Sequence, residues 1–259
     1  MREIMFRSIW FVIVLVPFTL FFCVWCTLLK GTATSEWGQG FWAKIILWAA
    51  GAKVELDLSA LPDIQSVVFL CNHQSHMDIP LLCAALAGHK IRFVAKKSLF
   101  DIPVFGWAMR EFGHISIDRS NRRSGMKSIE IAAQKARDGF SPVIFPEGTR
   151  NMRPEALLPF KIGAAVVALK CGRPIVPLVM AGSHRLLPKG LLSITPTVIR
   201  IKALPPLDVS QYTIKERELF RQDMYAVMNT AYQSLWREMG GTVAEAPAAA
   251  ECGEGDDVF

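Results

Sequence analysis

The chain has 259 residues, 51% of them hydrophobic and 20% charged, and a formal net charge of +6. That length fits one large domain or one domain with an appendage, and a mean hydropathy of +0.29 is high for a wholly soluble chain. The basic residues do not interleave with aromatics as a nucleic-acid stripe would, so the positive balance points to anionic lipid headgroups or a phosphorylated substrate and not to nucleic acid. Six cysteines, at 23, 26, 71, 83, 171 and 252, are scattered. Three of them fall in apolar runs, which argues against a disulfide framework and for a reducing compartment.

The excess apolar content sits at the front. Residues 8–29 form 22 consecutive positions without a charge. As a helix they extend roughly 33 Å, against a hydrocarbon core of about 30 Å. Pro17 offers a kink, so a hairpin dipping into one leaflet fits as well as a span. Arg2 and Arg7 precede the run and Gly31-Thr32-Ala33 resembles a cleavage site. A retained anchor still fits better than a secretory signal, whose apolar region is usually about 7–15 residues. The segment 41–50 carries only Lys44 as a charge and suits an interfacial helix anchored by Trp42 and Trp48. Cys23-Val24-Trp25-Cys26 has redox spacing without a βαβ context, and Gly38-Gln39-Gly40 precedes no dinucleotide fold.

Beyond residue 53 the pattern alternates. Strands are expected at 67–71, 91–95, 114–117, 142–145, 175–179 and 197–204. Helices are expected at 78–87, 124–137, 160–170 and 212–239, with a broken helical region before residue 112. Near-continuous apolar strands alternating with helices imply an α/β fold: a mostly parallel sheet covered by helices on both faces. The expected organisation is membrane-embedded helices over 1–52, a catalytic domain over 53–239 and a disordered acidic tail over 240–259.

Chemistry concentrates at strand exits. Asn72-His73-Gln74-Ser75-His76-Met77-Asp78 follows the first buried strand. His73 and Asp78 are five apart and meet only through a turn. Asp78 can fix one imidazole nitrogen and leave the other as a base, or simply cap the next helix. With His76 the trio also permits a metal, although no ligand spacing is completed. Those three readings stay open on this turn alone. Phe145-Pro146-Glu147-Gly148-Thr149-Arg150 leaves another strand. There Gly148 permits a tight bend, Arg150 offers a fork for phosphate, and Glu147 can orient Arg150 or approach a substrate hydroxyl. Ile117-Asp118-Arg119 and Lys96-Lys97 mark two further exits. Ligands of α/β sheets gather at the carboxyl ends of strands, so these four turns describe an anion-binding crevice beside a base. Val176-Pro177-Leu178 would supply an apolar wall.

The turn 72–78, then Ile117-Asp118-Arg119, then the turn 145–150, then Val176-Pro177-Leu178, in this order and with these gaps, resemble the 1-acyl-glycerol-3-phosphate acyltransferase family of lysophospholipid acyltransferases across roughly residues 50–210. The resemblance implies the glycerol-3-phosphate acyltransferase-like fold and transfer of a fatty acyl group from acyl-CoA or acyl carrier protein. The implied acceptor is the sn-2 hydroxyl of lysophosphatidic acid, with a different lysophospholipid or an amino-acid lipid as the alternative. It assigns His73 as general base and Asp78 as its orienting partner. Arg150 becomes the leading phosphate contact, supported by Glu147, Gly148 and Thr149, with Arg119 and Lys96 as further contacts. Neither metal nor cofactor is implied, because acyl transfer needs a proton acceptor and no Lewis acid. Partners are then the lysolipid, the acyl donor and anionic membrane lipids, at a membrane such as the bacterial inner membrane with the site facing the cytoplasm.

Overall fold

The computed structural model describes residues 2–29, 32–64, 66–118, 122–188, 190 and 193–243. Arg119 and the acidic stretch from residue 244 onward lie outside them.

The front of the chain folds as two helices, α1 (Arg2–Leu28) and α2 (Ala33–Ala50). α1 continues through Pro17 as one helix, and Glu3–Trp25 is long and apolar enough to cross a membrane. The two helices pack antiparallel: Trp10 meets Trp48, Phe18 meets Phe41 and Phe22 meets Trp42. Thr32 opens α2 by accepting the Ser35 amide, and Gly51 closes it in a left-handed cap. Thus α2 starts eight residues before the expected interfacial segment.

A seven-stranded sheet follows, ordered β1-β7-β6-β2-β5-β3-β4. The strands are β1 (Lys53–Asp57), β2 (Val68–Cys71), β3 (Ile91–Lys96), β4 (Ile115–Ile117), β5 (Ser141–Ile144), β6 (Ile175–Ala181) and β7 (Val198–Ala203). Every pairing is parallel except β6 with β7. β7 turns back because, among the described residues between it and β6, the four-residue α8 (Ser183–Leu186) is the only helix, too short for a crossover.

The remaining helices are α3 (Asp78–Ala85), α4 (Lys97–Phe100), α5 (Phe105–Glu111), α6 (Arg122–Arg137), α7 (Ile162–Cys171) and α9 (Arg217–Glu238). Two short 3₁₀ turns and a Thr213–Glu216 capping box precede α9. Successive β2 residues point to opposite faces. Val68 and Leu70 join a core with α6, α7 and α9, while Val67, Phe69 and Cys71 join another with α2 and α3. Ala43, Ile46 and Leu47 of α2 lie in that second core, as does Phe11 of α1. The front helices are therefore part of the sheet's covering layer.

Candidate active site

Strands β2, β5, β3 and β4 are adjacent and parallel, so their carboxyl ends open on one side. β2 leads into His73, β3 ends at Lys96, β4 leads into Asp118 and β5 leads into the turn ending at Arg150. A cavity of about 830 Å³ lies there. Its wall includes His73, His76, Lys96, Gly148, Thr149 and Arg150. Val176-Pro177-Leu178 does not reach it; those residues sit buried in β6 beside β2.

The candidate base, His73, is carried by the β2 exit. Asn72 anchors the strand end to β6 by exchanging two side-chain bonds with the Met180 backbone. The next residues wrap around Asp78, whose Oδ2 accepts the Gln74 amide at 2.6 Å and the Ser75 amide at 2.9 Å. His73 Nδ1 approaches the same oxygen at 2.6 Å. An ionised carboxylate only accepts, so Nδ1 carries the proton and Nε2 is left with a lone pair. Asp78 is fully buried, while the His73 side chain keeps 18% exposure and lines the cavity. Asp78 does not cap α3: Met77 holds the cap position and makes no side-chain cap bond. The imidazole also stacks on Phe145, ring centroids 4.1 Å apart and 18° from coplanar. A hydrogen bond on one edge and a ring on one face leave it little freedom to rotate.

The second turn follows β5. Gly148 donates its amide to the Phe145 carbonyl and stands at φ 68°, a left-handed conformation that costs glycine little. Glu147 does not face the cavity. Its carboxylate is buried, Oε1 accepting the His73 amide at 2.7 Å and Oε2 the Leu158 amide at 2.9 Å. Burial pushes its pKa up to about 8, against the lowering effect of those two amide bonds. After Arg150, Asn151 closes the link: its amide donates to the His73 carbonyl at 2.7 Å. His73 is thus held at both backbone ends by the turn that carries Arg150.

Sequence reasoning placed His73, Asp78, Lys96, Gly148, Thr149 and Arg150 together, and the structure brings them together. Arg119 lies outside the described residues, beside Asp118, which pairs with Lys97 at 3.3 Å. Two cavity residues were passed over. His76, weighed in the sequence only as a possible metal ligand, lines the wall, and partial burial with the nearby Arg150 guanidinium lowers its pKa. Lys161 lines the wall too, immediately before α7, and its amide donates to the Pro146 carbonyl. The signal for Lys161 was a lysine between Phe160 and the apolar start of a helix.

A smaller apolar cavity of about 130 Å³ shares Ile79, Phe93, Ala95 and Leu99 with the first. Phe22 and Trp42 of the front helices and Phe105 and Met109 of α5 line it. His114 lines it as well. Burial, then Arg92 and Lys135, push its pKa down to about 3, so it is neutral. It accepts the Phe93 amide on Nδ1. Burial raises the Cys71 and Cys83 thiols, so neither offers a thiolate nucleophile.

This arrangement can take a proton from a hydroxyl while cations hold an anion nearby. Comparison with known proteins gives the family. The family model described as Acyltransferase matches residues 54–181, which span β1 through the end of β6. A 1-acyl-sn-glycerol-3-phosphate acyltransferase of Limnanthes douglasii is 32% identical over 199 residues, 76% of this chain and 70% of that protein. One from Cocos nucifera is 32% identical over 170 residues, 65% of this chain and 54% of its own length. The chain spans about half the length of several curated relatives it matches. The crystal structure of the lysophosphatidic acid acyltransferase from Thermotoga maritima has the same fold, with a TM-score of 0.77 at 24% identity. The match covers 91% of this chain and 98% of that one. With the matched span enclosing every turn that builds the cavity, and one relative covered over 70% of its length, the chain belongs to the 1-acyl-sn-glycerol-3-phosphate acyltransferase family.

Proposed function

We propose that the protein transfers a fatty acyl group from acyl-CoA or acyl carrier protein to the sn-2 hydroxyl of lysophosphatidic acid, giving phosphatidic acid. The observation that carries this reading is the 2.6 Å His73–Asp78 contact opening on a cavity that Arg150 also lines. His73 Nε2 accepts the hydroxyl proton as the oxygen attacks the thioester carbonyl. The tetrahedral intermediate collapses by breaking the carbon–sulfur bond, and the departing thiolate takes the proton back from the imidazolium. An ester and a free thiol result, and His73 is regenerated. Asp78 holds the ring and stabilises its charged form. Positioned base catalysis is worth about 10²–10⁴-fold, so alignment of thioester and hydroxyl supplies much of the rest. Arg150 holds the acceptor phosphate, with Lys96 and Lys161 on the same wall.

Membrane attachment belongs to the same reading. α1 is fastened to the body along its side: Ser8 accepts the Ile194 amide, Phe11 is buried, and Trp42 donates to Thr19. A helix held so lies in one leaflet more readily than across two. Its outer side, with Phe6, Ile13, Phe21 and Leu28, is exposed and apolar. The lysolipid chain then stays in the leaflet while its headgroup enters the crevice. Buried free thiols fit a site facing a reducing compartment.

Purified protein in detergent, given labelled lysophosphatidic acid and either donor, forms phosphatidic acid. His73→Ala lowers the rate about 10²–10⁴-fold. Full transfer by His73→Ala removes the base assignment. Equal turnover across uncharged acceptors removes the phosphate assignment.

A further inference from the structure

The C-terminal helix lies beyond the residues that the family model matches, yet one of its faces grips the loop after Arg150. Arg221, Tyr225, Asn229 and Tyr232 are spaced by four, four and three, which places them on one side of α9. Arg221 donates to the Phe160 carbonyl at 3.1 Å and Tyr225 to the Leu157 carbonyl at 3.1 Å. Asn229 accepts the Leu157 amide at 3.0 Å. Tyr232 donates to the Pro154 carbonyl at 2.7 Å.

Tyr232 differs from the other three in also touching the base turn. Its hydroxyl accepts from Gln74 Nε2 at 2.7 Å. Gln74 directly follows His73, and its own amide donates to Asp78 Oδ2. Both Gln74 and Tyr232 are buried, so water does not replace either bond. One phenol therefore joins the turn holding His73 and Asp78 to the loop that starts at Arg150.

We propose that Tyr232 is a positioning residue that couples the base turn to the Arg150 loop. The inference rests on the reaction proposed above. That reaction needs the hydroxyl at His73 while its phosphate is held at Arg150, so the two turns must keep a fixed separation. A displacement near 1 Å in such a constellation costs up to about 10²-fold in rate.

The test uses full-length protein in detergent, with lysophosphatidic acid and acyl-CoA varied separately. Tyr232→Phe keeps the ring and removes the hydroxyl. It is expected to lower kcat and raise KM for the lysolipid together, about 10-fold in kcat/KM, with KM for the donor within about twofold. Gln74→Leu breaks the same link from the other side and is expected to give the same pattern. The double variant is expected to lose no more than about twofold beyond the worse single, because the Gln74–Tyr232 bond is already absent in either single variant. Tyr212→Phe is the control: it loses a 2.8 Å bond to Asp223 and touches neither turn. Its kinetics stay at the wild-type values. Wild-type kinetics in Tyr232→Phe and Gln74→Leu, losses that multiply in the double variant, or lowered thermal stability alone would each overturn the coupling. The wild-type rate in the same series tests the proposed reaction separately.

Discussion

Glu147 shows how a residue can belong to a functional motif without facing the substrate. In the sequence it stands between a proline and a glycine, three positions before Arg150, and reads as a substrate contact. In the fold its carboxylate points inward and ties the His73 amide to the Leu158 amide. Its pKa, pushed up to about 8 by burial, carries a pH consequence. Between the ordinary value of about 4.5 and 8, the folded protein holds a proton that the unfolded chain has lost. Stability therefore falls as pH rises through that window and levels off above it. Glu147→Gln removes the titration. It also sets an amide NH₂ against one backbone N–H, a penalty of about 1–3 kcal/mol that does not vary with pH. Denaturant unfolding in detergent at pH 5 and pH 8 is expected to show wild type losing more stability than the variant, by a few kcal/mol on the order of the shift. Equal losses would mean that Glu147 stays ionised throughout. His114 acts in the opposite sense between about 3 and its ordinary value, but is common to both proteins and cancels in the comparison.

At the level of elements, α4 and α5 show a tighter constraint than the sequence discloses. The stretch before residue 112 reads only as broken helix. The break is a tight reversal at Val104, where the Phe105 amide donates to the Pro103 carbonyl and φ is 62°, a positive value rare for a β-branched residue. Gly106 then packs so closely that a Cβ there would lie 2.1 Å from the Phe100 carbonyl oxygen. Gly106→Ala must push α5 away from α4, and α5 carries the Phe105 and Met109 side chains that line the apolar cavity. Overpacking of this kind costs about 1–3 kcal/mol or more. The variant is expected to melt several degrees lower and to lose acyl transfer beyond its loss of folded protein; wild-type melting and rate would show that the elbow yields freely. Legibility elsewhere follows the same logic. β2, β5 and β6 were visible because they are buried on both faces and read as apolar runs. β1 was not: Lys53-Val54-Glu55-Leu56-Asp57 is an edge strand with three of its five residues exposed and none fully buried. The motif turns were legible because their chemistry is local. Lys161 and Tyr232 were not, because their role depends on which distant loop the fold lays beside them.

At the scale of the whole molecule, the apolar front is both a membrane candidate and a structural layer. Phe11, Ile46 and Leu47 are buried in the core that also holds Phe69, Leu81 and Leu82. Burying each such side chain contributes about 1.5–3 kcal/mol, so these three alone approach the roughly 5–15 kcal/mol by which a domain is stable. Glu36 of α2 adds an electrostatic reason. It pairs with Arg92 of β3, whose guanidinium is buried and also lies 4.2 Å from the Phe140 ring centroid. Removing α2 strands that cation without its carboxylate, a loss of about 3–5 kcal/mol while it stays buried. The apolar cavity also loses Phe22 and Trp42 from its wall. A chain starting at residue 53 is therefore not expected to be a soluble catalytic domain. Expressed beside the full chain, it is expected to aggregate, and detergent is not expected to restore its activity. Size-exclusion chromatography and acyl transfer on both chains decide the matter: a monomeric, active 53–243 fragment in detergent-free buffer would show that the front helices anchor the enzyme without helping to fold it.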